Sequence, residues 1–347
     1  MTQTEAFDLV VTGGTFAGCC AAAHAAAQGL RVGLVESRTY LGTDCCATLR
    51  PWYRPGSLAS AGEGTFAEFA ELVGRASPSD DWLDMGRLKK ELLAWLLGHG
   101  VEVAFGLHPA GLLLDSAGDA AGLLAAGKWG FFGVPARTVL DATRFRCLAW
   151  ATAVVPVPRQ EELAARRVVE LANVGLPPDV DRISAPCDAE ILNDEAIVYR
   201  PTNRQGTVFL DFAFRFPTCT AGWWNGGRLA ELQARRRTSL LMKWLRRERP
   251  AFANATVLRS SPELHLPALE VAGAAGDRED NVVSLDELPG LLFPRAELFR
   301  GVMPDERLLE TLETAANEVF AAVNPERRMP DVADTMIRLG EVSLPAT

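Results

Sequence analysis

The stretch Phe7–Glu36, FDLVVTGGTFAGCCAAAHAAAQGLRVGLVE, decides the reading of this chain. FDLVVT at Phe7–Thr12 is a short apolar run bounded by glycine, as a buried strand would be. A turn follows at Gly13–Gly14. Ala17–Gln28 is rich in alanine and other small residues, so a helix there can lie close against a sheet, and Gly29 stops it. Leu30–Glu36 is a second apolar strand that ends in an acid. Strand, turn, helix and strand in about 30 residues form the opening unit of a doubly wound α/β fold.

The turn Gly13–Gly14–Thr15–Phe16–Ala17–Gly18 fits G-x-G-x-x-G, with Thr15 where the middle glycine usually stands. The first glycine permits the tight turn. The middle one lets backbone N–H groups reach a pyrophosphate, and the last lets the helix pack on the strand. The pyrophosphate then lies at the positive end of the helix dipole. Glu36 comes 18 residues after Gly18 and can accept hydrogen bonds from both hydroxyls of the adenosine ribose. The spacing therefore predicts a dinucleotide site built from these turn residues and Glu36, with Ser37 beside it. A unit of the same shape that binds nothing is the alternative.

With 347 residues the chain suits one large domain or two intimately packed ones. Its net charge of −9 offers no broad basic field for nucleic acid. The run Arg235–Arg237 with Arg246, Arg247 and Arg249 reads as the solvated face of a helix. No run of about 18 apolar residues predicts a membrane span. The start, MTQTEAFDLVV, lacks the basic and apolar regions of a secretion signal, so a cytoplasmic location is the expectation. Seven cysteines at irregular spacing (19, 20, 45, 46, 147, 187 and 219) form neither a disulfide framework nor a zinc set. No metal site is expected.

Further elements follow from pattern. Helices are expected at Gly62–Arg75, Met85–Leu97, Arg228–Arg247 and Glu306–Val323. Short strands are expected at Val101–Phe105, Gly111–Asp115, Ala121–Ala126 and Ala136–Asp141, the central pair forming a small meander that covers the sheet. Ala196–Arg200 and Thr207–Phe216 read as a strand pair, and the alternation in VFLDFAFRF predicts one wet face and one buried face. The expected class is α/β: a Rossmann-type parallel sheet with a β-meander, plus an interleaved mixed α+β substrate lobe. Residues 1–147 would form the dinucleotide domain and 148–285 the substrate or interaction lobe. Residues 286–347 would return to the first domain and end in a C-terminal helix and tail.

Several stretches carry a resemblance. They are the turn GGTFAG at Gly13–Gly18, ESRTYLGTDCCATLRPW at Glu36–Trp52, MGRLKKELLAWLLGHGVEVAFG at Met85–Gly106, VLDATRF at Val139–Phe145 and LQARRRTSLLMKWLRRERPAFANATV at Leu232–Val257. Together they resemble the FAD-dependent oxidoreductases of the glutathione-reductase-like fold, especially the branch whose turn reads GGTxxG. The resemblance is strongest over 7–147 and patchy over 200–320. It implies FAD as cofactor, and hydride transfer from a small organic substrate to the flavin. It implies that Val103 presents backbone to the adenine, that Ala142 and Thr143 lie near the pyrophosphate, and that Arg38 lies beside the adenosine or its phosphate.

The sequence departs from the family pattern on the flavin side. Arg144 replaces the glycine of the Ala-Thr-Gly turn, and Leu288–Arg300 lacks the usual Gly-Arg or Gly-Asp. Gly276–Asp277 offers that dipeptide in a polar turn. Thr15 and Arg144 are expected to crowd the cofactor's path. Three readings stand side by side: a self-contained flavoenzyme, a non-catalytic or half-site subunit of a flavoenzyme complex whose flavin site would be completed in a homo- or hetero-oligomer, and an ADP- or NAD-binding protein without redox turnover.

Candidates for chemistry are few. LGTDC places Cys45 where disulfide reductases of this fold carry their first redox cysteine, but the partner position is Arg50. That leaves Cys46 as a single thiol near the flavin or an inert buried cysteine. Arg50 could stabilise reduced flavin, hold a substrate carboxylate, or serve structure alone. His265 is a candidate general base or a structural histidine. Tyr199 and Arg200 lie on a substrate-lobe strand. Trp223 and Trp224 form a lid, an interface or packing.

Overall fold

The computed structural model describes residues 6–52, 64–78, 82–151, 156–157, 162–175, 181–183, 197–202, 204–217, 223–266, 270–271, 281–285, 288–294, 308–323, 326, 336–339 and 342–345. The strands in chain order are β1 (Phe7–Thr12), β2 (Val32–Glu36), β3 (Glu102–Phe105), β4 (His108–Leu114), β5 (Ala120–Gly127), β6 (Gly130–Asp141), β7 (Pro156–Val157), β8 (Glu162–Ala172), β9 (Asp181–Ile183), β10 (Ile197–Pro201), β11 (Val208–Pro217), β12 (Thr256–Ser260), β13 (Glu270–Val271), β14 (Val282–Ser284), β15 (Leu291–Pro294), β16 (Met336–Leu339) and β17 (Val342–Pro345). The helices are α1 (Phe16–Ala27), α2 (Thr43–Cys46), α3 (Thr65–Arg75), α4 (Met85–Gly98), α5 (Cys147–Ala151), α6 (Trp223–Glu248) and α7 (Leu308–Ala322). Contacts divide the chain into two units. One is Met1–Cys46, Pro51–Val157 and Ala268–Thr347; the other is Ala47–Arg50 and Pro158–Pro267.

In the first unit β1 pairs in parallel with β2 and with β6, β2 with β3, and β15 with β6. Leu9, Val10 and Val11 are all fully buried, as a strand covered on both faces requires. On one side Leu9, Val11 and Leu34 pack with α1, α3, α4 and α7 through Cys19, Phe69, Leu92 and Val319. On the other, Val10, Val35 and Val139 pack with Leu123, Leu291 and Phe293. Each such fully buried side chain contributes about 1.5–3 kcal/mol. The alanines let α1 sit close: Ala21, Ala22, Ala23 and Ala25 are buried. The α/β class and the Rossmann-type sheet are those the sequence predicts.

The meander has three strands, β4–β5–β6, where a pair was expected, and Leu112, Leu114, Leu123 and Ala125 of β4 and β5 pack with Val10 and Val35 on one face of the parallel sheet, as a covering meander should. β6 belongs to both parts, because its 12 residues pair with β5 through one half and with β1 through the other. The C-terminal stretch supplies two strands that pattern did not reveal, β16 pairing with β4 and β17.

The second unit is an antiparallel sheet in the order β12-β8-β11-β10-β9. Its central strand β11 is buried at every position from 208 to 214, so the expected wet face is absent among the described positions. On one side α6 covers it, with Arg237 lying 5.1 Å from the centre of the Phe214 ring. On the other, Asp211 is covered by arginines. β8, ELAARRVVELA, is made largely of good helix formers, yet ten pairings with β11 hold it extended. In the arginine run Arg235, Arg236, Arg246, Arg247 and Arg249 are exposed on or just beyond α6 as expected, whereas Arg237 is half-buried against Phe214. Among the described residues no helix is long and apolar enough to cross a membrane.

Candidate functional site

The site begins where β1 turns into α1. Gly13 has φ +105°, and a Cβ on it would lie 2.8 Å from the Ala142 carbonyl and the Thr143 nitrogen. A Cβ on Gly18 would lie 2.2 Å from the Gly13 oxygen. These glycines let the turn after β1 touch the turn after β6. Thr15 is the N-cap of α1. Its Oγ1 accepts from Gly18 N at 3.1 Å and donates to Ala142 O at 3.1 Å. Its hydroxyl is used inside the turn, because a helix start has N–H groups to satisfy.

Glu36 is 4% exposed. One carboxylate oxygen accepts from Gly14 N at 2.6 Å, and the other from Ser37 Oγ at 2.9 Å and Arg38 N at 2.8 Å. A carboxylate offers about four acceptor positions, so two ribose hydroxyls need Ser37 to rotate away.

A second carboxylate enters that sequence reasoning missed. Asp44, on α2, is buried, and its Oδ2 accepts from Phe16 N at 2.5 Å. α2 is tied to the turn by its backbone: Gly42 N and Thr43 N both donate to Gly14 O, at 2.8 and 3.2 Å. The acid in LGTDCC is visible in the sequence, but only this tertiary tie aims it at α1. The amides of Gly14, Phe16 and Gly18 are thus taken by Glu36, Asp44 and Thr15. Burial, and then the charges of Asp44 and Glu36, push the Cys19 thiol well up.

The turn after β6 is built on Asp141. That carboxylate is fully buried and accepts from Thr143 N (3.0 Å), Thr143 Oγ1 (2.5 Å) and Leu148 N (2.8 Å). Burial holds its carboxyl above the ordinary range against those donors. Arg146, 1% exposed and at φ +53°, donates to the carbonyls of Asp141 and Pro294. It links the ends of β6 and β15. Arg144, the residue that replaces the expected glycine, is also buried.

The remaining predicted residues lie as follows. Val103 sits on β3 in register with Leu34. The Arg38 guanidinium lies 6.0 Å from the Tyr40 ring centre, and Lys89 Nζ 3.7 Å from the same ring. Phe16 and Ala17 are buried in the first turn of α1. Cys46 Sγ lies 3.8 Å from Cys45 Sγ and 3.8 Å from Met85 O. The hydrogen bond to Cys46, followed by burial, pushes the Cys45 thiol well up, which disfavours a nucleophilic thiolate there.

Arg50 and His265 belong to the second unit. Asp211 there receives Arg166 Nε at 3.1 Å and faces Arg50 Nε at 3.9 Å. His265 joins them through its backbone, bonded in both directions to Arg166. Asp211 thus sets a negative charge beside the Arg50 cation. Tyr199 is buried with its ring 6.1 Å from Phe252. The side chains of Trp223 and Trp224, the Gly276–Asp277 turn and residues 295–300 lie outside the described residues. Among the described residues no cluster of three or more His, Cys, Asp or Glu could hold a metal ion.

The residues fit part of FAD. Glu36 and the Gly13–Gly18 turn suit an adenosine ribose, and Ala142–Thr143 lie against that turn. The pyrophosphate position at the start of α1 does not fit as it stands, because the Asp44 carboxylate holds the Phe16 amide.

Comparison with known proteins bears on the same region. The family model described as FAD dependent oxidoreductase matches residues 8–280. A geranylgeranyl bacteriochlorophyll reductase-like protein from Thermoplasma acidophilum superposes with TM-score 0.59 at 16% identity, over 93% of this chain and 81% of that one. A myxobacterial chondrochloren halogenase, described as a variant of FAD-dependent halogenases, superposes with TM-score 0.55 at 15% identity, over 94% and 77%. The halogenase PltM gives TM-score 0.53 at 15% identity, over 92% and 70%. At these identities the likeness is one of fold. No curated protein sequence matches the chain.

Proposed function

The chain belongs to the FAD-dependent oxidoreductase family, and from that premise we propose that it binds FAD and oxidises a small organic substrate by hydride transfer. Bound flavin supplies the electron-accepting ring. The observation that carries the reading is the unit from β1 to β2, whose glycine turn closes on the buried acid Glu36, 2.6 Å from Gly14 N. Glu36 then holds the ribose hydroxyls, Val103 offers its backbone to the adenine, and Ala142 and Thr143 flank the diphosphate side. Arg50, with its charge moderated by Asp211, orients an anionic group on the substrate. His265 is the candidate proton acceptor. Cys46 is a packing residue in this reading.

A second reading has an observation of its own. Arg146 bridges the carbonyl ends of β6 and β15, the latter within the Leu288–Arg300 stretch that departs from the family pattern on the flavin side. Under that reading a second chain completes the flavin side, and this chain alone binds ADP as well as FAD.

The test is the ligand released when the purified protein is denatured, together with the visible spectrum beforehand. Flavin absorbance and one FAD per chain are expected. Release of ADP or NAD without flavin would remove the redox reading.

A further inference from the structure

We propose that Asp44 is an intrachain substitute for the cofactor's pyrophosphate, and that displacing it sets how tightly this chain binds FAD. The proposal rests on the reading of the turn as an FAD site and goes beyond it by naming a residue that opposes binding.

The start of a helix attracts anions because its first N–H groups have no partner in the helix and its dipole is positive there. In this chain the anion is already present. Asp44 Oδ2 lies 2.5 Å from Phe16 N, the first amide of α1. The side chain is 8% exposed, so water competes little for it. It is held in place by backbone, not by chance of rotamer alone, since Gly42 N and Thr43 N both bond to Gly14 O. Gly14 itself is closed over: a Cβ there would meet Leu41 Cδ2 at 2.6 Å and Glu36 Oε2 at 3.1 Å. The amides of Gly14, Phe16 and Gly18 all have acceptors within the chain.

A pyrophosphate brought to this amide meets two carboxylates, Glu36 and Asp44. Glu36 can stay, because it serves the ribose. Asp44 cannot share Phe16 N with a phosphate oxygen, since both are anionic acceptors and the amide has one hydrogen. A rotation of the Asp44 side chain away from α1 frees the amide without moving α2. The energy of the lost hydrogen bond and of the remaining like charge is subtracted from cofactor binding. Adenosine carries no phosphate, so its binding is indifferent to Asp44.

The experiment uses the full chain stripped of nucleotide, as wild type, Asp44→Asn and Asp44→Ala, each titrated calorimetrically with adenosine, ADP and FAD. Asp44→Ala is expected to bind ADP and FAD about tenfold tighter or more, as loss of a charged competitor for one hydrogen bond implies. Asp44→Asn, which keeps the shape and is the safeguard if the alanine variant does not fold, is expected to gain in the same direction. Adenosine affinity should be equal in all three. Equal or weaker ADP and FAD binding in the folded variants overturns the role of Asp44 while leaving the FAD reading intact. Folded proteins, wild type included, that bind none of the three ligands overturn both.

Discussion

Two turns lie side by side at the ends of neighbouring parallel strands, and they are built in opposite ways. The turn after β1 is glycine-rich and satisfies its amides with carboxylates from elsewhere, Glu36 and Asp44. The turn after β6 carries its own carboxylate, Asp141, and adds a buried arginine that satisfies carbonyls. They meet where Gly13 abuts Ala142. The lesson is that the glycines of this fingerprint are called for by the chain's own geometry, Gly13 by its φ of +105° as well as by contact. A Cβ at Gly13, Gly14 or Gly18 would collide with the chain itself. Retained glycines thus report the fold, whereas the partners of the amides report what the site can bind.

The comparison can be broken at its tightest point. Gly18→Val would drive a side chain into the Gly13 oxygen, 2.2 Å from the added Cβ. A loss of about 3 kcal/mol is expected in urea unfolding, from overpacking against backbone. An unfolding curve like that of wild type would show that the turn after β1 is not packed as described. In the other turn, Asp141→Ala leaves the amides of Thr143 and Leu148 without their acceptor in a buried place. About 2 kcal/mol should be lost in the same assay.

Asp44→Ala should cost less than either, about 1 kcal/mol in the ligand-free protein, since it removes one helix-start acceptor while Thr15 remains. If it melts with the glycine variant, Asp44 supports the fold more than the turn.

The smallest effect concerns pH. His24, on α1, lies against Phe66 and Phe320, with ring centres at 5.4 and 6.0 Å. Burial lowers its pKa, with Glu313 and Asn317 opposing. The unfolded chain then binds more protons below its ordinary value of about 6.5, so the contribution to stability is full above that value and lost as pH falls through the window beneath it. Melting temperatures of His24→Gln should fall less than those of wild type between neutral pH and that window. Identical slopes would show that His24 titrates as if unfolded.

Legibility in the sequence followed the range of the interaction. FDLVVT, the alanines of α1 and the acid at Glu36 are local patterns, and they predicted the opening of the sheet. β8 was not legible, because Glu, Leu, Ala and Arg favour a helix and only pairing with β11 holds them extended. The wet face expected for β11 failed because Asp211 is buried under Arg50 and Arg166, partners far away in sequence. Thr15 was readable as a departure but not as a cap. Asp44 and Arg146 were readable as residues but not as contacts, since a four-residue helix and a left-handed backbone position aim them. The candidate site was therefore half legible: its acid and glycines from spacing, its competing carboxylate from the fold alone.

The account stands on Glu36 as the ribose-binding acid of an FAD site. Calorimetric titration of FAD into wild type and Glu36→Ala, with melting curves to confirm that both are folded, measures this directly. Affinity is expected to fall roughly 5- to 150-fold, the equivalent of about 1–3 kcal/mol for unsatisfied hydroxyls in a partly buried site. Unchanged FAD affinity in a folded variant would contradict the account.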